Sequence, residues 1–170
     1  MDLQRICRML AAQSVTIAAL TSDLTDAEAG QDYGVPGWTA KQVMGHLYDE
    51  ERYDFRVRVF QTMTAPDAPL PSIDPEGWVT AHQYAEQPFA TLRDGFLLER
   101  RNSIGSLEQY TRTNWKQTLQ HPQLAELTAA DILWSWVAHD VLHIRQLTEW
   151  RYAMVRSQSA PHRVGYAGDW

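Results

Sequence analysis

The sequence predicts an all-α protein, a four-helix bundle with a long crossover between its second and third helices. Three observations carry this. Four segments repeat apolar residues at helical spacing, strand alternation of useful length is absent, and Pro66, Pro69, Pro71 and Pro75 all fall between the second and third segments. Four amphipathic helices bury their stripes most simply around a shared core. At 170 residues the chain is long enough for one such core and too short for two, so residues 1–170 are read as a single domain.

Leu3, Ile6, Leu10, Ile17, Leu20 and Leu24 mark helix 1, from about Leu3 to the low twenties. Cys7 sits beside that stripe, where a free cysteine acts as a small hydrophobe. The stretch from Ala29 to Gly37 holds three glycines and Pro36, and is read as a loop. Helix 2 opens with a capping box, Thr39 and Gln42, and a staple of Trp38 on Val43. Its inward stripe is Val43, His46, Leu47, Glu50, Tyr53 or Asp54, Val57 and Phe60, so a core face carries a histidine and a carboxylate.

Residues 64–77 are read as a semi-extended crossover, long enough for helices 2 and 3 to run parallel. Trp78 to Gln87 suits a short helical turn, and Pro88 suits the first turn of helix 3. Phe89, Leu92, Phe96, Leu97, Arg100, Ile104 and Leu107 then run to about Glu108. Tyr110 to Leu127 has no sustained period and reads as an irregular connection. Helix 4 begins with Thr128 as cap, Asp131 in the capping box and a staple of Leu127 on Ile132, and its inner face holds Ile132, Trp136, His139, His143, Leu147 and Trp150. From about Arg156 to Trp170 the chain is a polar tail.

Composition excludes several classes. The net charge of −6, with no cluster of Lys or Arg, disfavours nucleic acid and anionic membrane as partners. No apolar run approaches the ~20 residues of a membrane span, and the N-terminus lacks the layout of a secretory signal. A single cysteine permits no internal disulfide and no CxxC motif. The expected location is the cytoplasm. Seven tryptophans are compatible with a ligand pocket but suit an aromatic-rich bundle core better.

The chemistry is concentrated in His139 and His143, four residues apart on one helical face, with His46 on the stripe of a second helix. A buried imidazole needs a partner for its polar atoms. Three imidazoles on facing stripes supply the three-ligand set of a catalytic metal site. Imidazole suits Zn²⁺, Ni²⁺, Fe²⁺ and Cu²⁺ alike, and zinc or nickel is the expected ion. The stretch is close to HExxH, but Asp140 replaces the glutamate and the protease reading fails. Glu50, one turn from His46, can hold that imidazole or the metal, and Asp140, next to His139, is a candidate to orient a ligand. Arg100, with Arg101, can aim a guanidinium at an anionic ligand or lie along the helix surface. His82, His121 and His162 fall in loop or surface contexts, with His121 able to approach the mouth of the site.

The runs Trp38-Thr39-Ala40-Lys41-Gln42-Val43-Met44-Gly45-His46-Leu47 and His139-Asp140-Val141-Leu142-His143-Ile144-Arg145-Gln146-Leu147 resemble the DinB-like superfamily of metalloproteins. So do Glu50 or Glu51, the Arg100/Arg101 position and the His121-Pro122 loop. The resemblance implies a four-helix bundle with a long crossover, often a homodimer, and a metal triad of His46, His139 and His143. It also implies, from characterised relatives, transferase or isomerase chemistry with a low-molecular-weight thiol activated at a divalent metal. Three functional readings follow. The first is a metal-dependent enzyme in which a thiol or water attacks a small electrophilic substrate. The second is a non-catalytic metal- or ligand-binding bundle, such as a stress sensor, and the third a purely structural bundle with hydrogen-bonded core histidines.

Overall fold

Asp2 opens the first helix by accepting the Arg5 amide at 2.9 Å, and α1 (Leu3–Thr21) follows with Ile6, Leu10 and Ile17 buried. A capping box of Thr25 and Glu28 then starts a short α2 (Asp26–Gly30), so Ala29 and Gly30 belong to a helix rather than to the expected loop. The computed structural model describes residues 1–110, 114–121 and 125–168, without the side chains of His121 and Ala125.

The Thr39–Gln42 capping box starts α3 (Ala40–Asp49) as its sequence signature predicts. The helix then widens into a π turn, Glu50–Asp54, before continuing as α4 (Phe55–Thr64). In an α-helix each four-residue step overshoots a full turn by about 40°. The wider π turn absorbs one extra residue and shifts every inward position after it. Arg58, Val59 and Thr62 are therefore buried, where the sequence pattern pointed to Val57 and Phe60, and both of these are only half-buried.

The crossover leaves α4 at Thr64 and returns through α5 (Pro75–Ala81) and a 3₁₀ turn at Tyr84–Glu86. Pro75 occupies the first helical position and Asp74 caps it by accepting the Gly77 amide at 3.0 Å, so this helix begins before Trp78. Pro88 takes the N-cap of α6 (Phe89–Leu107). The connection to the last helix contains a two-stranded antiparallel hairpin, β1 (Thr118–His121) and β2 (Ala125–Thr128), with Leu119 opposite Leu127. This corrects the reading of an irregular segment. Among the described side chains of the two strands only Leu119 is buried, so strands this short show no alternation.

Thr128 and Asp131 cap α7 (Ala129–Gln158), which runs two residues past the position where the polar tail was expected. The bundle consists of α1, the continuous α3–α4, α6 and α7, with α1 against α6 and α7, α3 against α6, and α4 against α7. Its core falls into two apolar clusters. One centres on Ile17, Val43, Leu92 and Trp150, the other on Ile6, Val59, Leu107 and Trp136. On every bundle helix buried polar residues lie between the two clusters: Gln13, His46 to Arg58, Arg100 with Ser103, and Asp140. Among the described residues, no helix is long and apolar enough to cross a membrane.

Candidate metal centre

The helical period of α3 and α7 brings three imidazoles to one point in that polar layer. His46 Nε2 lies 3.1 Å from His139 Nε2, and His143 Nε2 lies 3.1 Å from the same atom. One nitrogen from each ring falls within 4.8 Å of the other two. Two imidazole nitrogens bound tetrahedrally to one ion at 2.0–2.1 Å stand about 3.3 Å apart, so the donor set fits a first-row divalent cation. The other ring nitrogens differ. His143 Nδ1 is 2.9 Å from the Gln146 amide oxygen, which fixes the ring and leaves Nε2 as its donor atom. His46 Nδ1 is buried with no hydrogen-bond partner among the described residues, and Glu50 Oε1 stands off at 3.8 Å.

Aromatic rings close the flanks. Trp38 packs on His46 with ring centres 4.7 Å apart and lies parallel to His143 at 6.4 Å, while Phe55 packs on His139 at 5.0 Å. Burial, then the neighbouring His143, pushes the His46 imidazolium down to about 3, and burial with His143 and His46 pushes His139 down to about 2. Burial lowers His143 as well, against the opposing pull of Gln146 and Asp140. All three rings are thus neutral at pH 7, the form that ligates metals.

The carboxylates occupy different places from one another. Glu50 is buried one turn from His46, and burial, then the charge of Asp54, pushes its carboxyl up to about 9. Asp140 follows His139 in the chain but turns its oxygens to Arg100, at 2.5 and 2.9 Å. Arg100 itself is 1% exposed and bound on every side by Asp140, Glu51 and the Leu10 carbonyl. It neither lies along the surface nor presents an edge to a ligand; its guanidinium is saturated inside the bundle. Sequence reasoning missed Gln146, whose three-residue spacing from His143 was the available signal, and missed the buried role of Glu51.

His46 and His143 face an open cavity of about 930 Å³. Trp38, His46 and His143 line one side, Arg58 another, and crossover residues such as Ile73 and Pro75 the third. Arg58 pairs with Asp54 through Nε and donates from Nη2 to the Pro71 carbonyl at 3.3 Å, while Nη1 has no protein acceptor among the described residues. The far end of the crossover is pinned to α3, because Asp49 Oδ2 receives both the Tyr84 hydroxyl at 2.6 Å and His82 Nδ1 at 2.5 Å. His82 is therefore separate from the triad, and His162 is exposed in the tail. The proposed approach of His121 to the site mouth concerns a side chain outside the described residues, as does Pro122.

Comparison with known proteins bears on the fold and the family. No curated protein matches the chain at the level of sequence. Among solved structures it is similar to YfiT from Bacillus subtilis, described as a probable metal-dependent hydrolase with an unusual four-helix bundle topology. The TM-score is 0.78 and the identity 19%, over 90% of this chain and 87% of that one. It is also similar to the mycothiol-dependent maleylpyruvate isomerase, at a TM-score of 0.71 and 14% identity over 86% of this chain, and to a histidine-to-alanine mutant of that enzyme at 13% identity. The present chain spans only 61% of the isomerase. At these identities the likeness establishes the fold, whereas the family model for the DinB superfamily matches residues 9–147 directly, and the chain belongs to that superfamily.

Proposed function

We propose that the protein is a divalent-metal-dependent enzyme in which His46, His139 and His143 hold the ion and a thiol or water is activated to attack a small electrophilic substrate. The observation that carries this reading is the convergence of three neutral imidazole nitrogens, two of whose rings, His46 and His143, line an open cavity. A closed site would suit structure; an accessible one suits catalysis. When bound, a divalent ion such as Zn²⁺ or Ni²⁺ lowers the pKa of a coordinated water or thiol and polarises a substrate oxygen.

The chain's own groups supply the surroundings. Trp38 and Phe55 shield the triad from bulk water on two sides. Arg58 Nη1 offers N–H donors to a substrate oxygen in the cavity, and Asp54 holds that guanidinium from behind. Glu50, carrying its proton at neutral pH, is the nearest carboxyl to His46. Both nucleophiles stand because the structural relatives are described with hydrolase and mycothiol-dependent activities; a low-molecular-weight thiol is the second of these.

The test is metal analysis of the purified protein beside His46→Ala, His139→Ala and His143→Ala. About one equivalent of metal in the parent, lost in all three variants, is expected. Full metal occupancy in His143→Ala would overturn the ligand assignment. Turnover of model electrophiles by the loaded protein, with and without added thiol, then separates the two nucleophiles.

A further inference from the structure

One guanidinium joins the helices that carry the metal ligands. Arg100, on α6, donates from Nε to Glu51 Oε1 at 2.6 Å, from Nη1 to Asp140 Oδ2 at 2.5 Å and the Leu10 carbonyl at 3.2 Å, and from Nη2 to Asp140 Oδ1 at 2.9 Å. Nη2 also pairs with Glu51, so every nitrogen of the guanidinium faces a carboxylate. Glu51 is completed by the Ser103 hydroxyl at 2.7 Å and the Trp136 indole N–H at 2.9 Å. Glu51 and Arg100 are 1% exposed and Asp140 is 0%.

Stability does not account for this cluster. Replacing a buried ion network by apolar side chains of similar volume is often neutral or stabilising, and the layers on both sides of this one are apolar. What an apolar layer lacks is direction. Leucine packing tolerates a slide of one helix along another, whereas a forked guanidinium–carboxylate pair fixes both partners within a narrow range of positions.

The positions it fixes are those of the triad. Asp140 is the residue after His139, and Glu51 lies in the π turn beside Glu50, five residues beyond His46. α6 itself contributes no ligand, yet its Arg100 grips both ligand-bearing helices at the height of the imidazoles. Metal sites tolerate displacements of only about 0.5 Å. We propose that Arg100, with Glu51 and Asp140, is the positioning device of the metal centre, setting the register of α7 against α3 so that His46 meets His139 and His143. This rests on the metal-site reading above.

The experiment compares the wild type with the charge-free variant Glu51→Gln/Arg100→Met/Asp140→Leu, in which the amide at position 51 keeps one oxygen to accept from the Trp136 indole and an NH₂ to donate to the Ser103 hydroxyl oxygen. Zn²⁺ affinity is measured by competition with a chromophoric chelator, and thermal stability is measured on the metal-free proteins. The variant should be at least as stable as the wild type when metal-free and should bind Zn²⁺ about 10–100-fold more weakly, the range for groups that orient metal ligands. Asp140→Asn, which keeps the packing and one hydrogen bond, should fall between. Unchanged affinity in the triple variant overturns the proposal. So does a metal-free triple variant that is unfolded or clearly less stable, which would make the cluster a stability element. A wild type that binds no Zn²⁺ would instead remove the metal-site reading itself.

Discussion

His143 Nδ1 and Gln146 Oε1 are 2.9 Å apart, one turn along the same helix. An amide oxygen only accepts, so the imidazole proton is held on Nδ1 and the Nε2 lone pair points toward His139 and His46. Gln146→Leu removes that anchor without touching a ligand. It should leave the fold intact and weaken metal binding by about 10–100-fold in chelator competition. Gln146→Glu keeps an acceptor and should hold affinity within a few-fold of the parent. Equal affinity in the Leu variant would show that ring orientation is set elsewhere, by Trp38 packing.

The histidines were legible because each stands where a periodic helix should bury carbon. His139 and His143 share a face at i,i+4, and His46 interrupts the stripe between Val43 and Leu47. The caps at Thr39 and Thr128 were legible for a similar reason, since their chemistry is contained within four residues. The π turn was not. Nothing in Glu50–Asp54 announces a change of hydrogen-bond pattern, and reading past it with an α-helical period misplaced Val57 and Phe60. The partners of Arg100 were out of reach for a different reason: Glu51 and Asp140 are 49 and 40 residues away, and a carboxylate that balances a buried charge looks in sequence like any surface acid.

Gly45 is one residue before the first ligand, and the Tyr84 ring lies against its backbone so closely that a Cβ there would overlap the ring. Tyr84 cannot swing away freely, since it is 1% exposed and its hydroxyl is held by Asp49 at 2.6 Å. Gly45→Ala gains up to about 1 kcal/mol of helix propensity. Overpacking of a rigid core site costs about 1–3 kcal/mol, so the sum should be destabilising. Thermal denaturation should show a fall of several degrees, at roughly 2–4 °C per kcal/mol for a chain of this size. Restoration in Gly45→Ala/Tyr84→Leu would tie the loss to the ring; a more stable Gly45→Ala would refute the contact.

The acid–base behaviour of the metal-free protein follows from two opposed groups of buried residues. His46 and His139 have folded values of about 3 and 2, so below pH 6.5 the unfolded chain takes up protons that the folded one refuses. Stability therefore falls as pH drops from 6.5 towards 3, by up to about 1.4 kcal/mol per pH unit for each ring. Glu50 acts in the reverse sense. Its folded carboxyl keeps the proton up to about 9, while the unfolded carboxyl loses it near 4.5, so stability falls as pH rises between those values. Between 4.5 and 6.5 one imidazole slope and the Glu50 slope cancel, leaving a net loss towards acid. Above 6.5 only carboxyl slopes remain, that of Glu50 and that of Glu51, whose carboxyl burial also raises. The urea midpoint of the metal-free protein should peak near pH 6.5 and decline on both sides, with the alkaline decline made shallower in Glu50→Gln and the acid decline made shallower in His46→Gln. A midpoint that stays level from pH 6.5 to 9 would mean that Glu50 is ionised in the folded protein, and its place as a proton-holding neighbour of the triad would go with it.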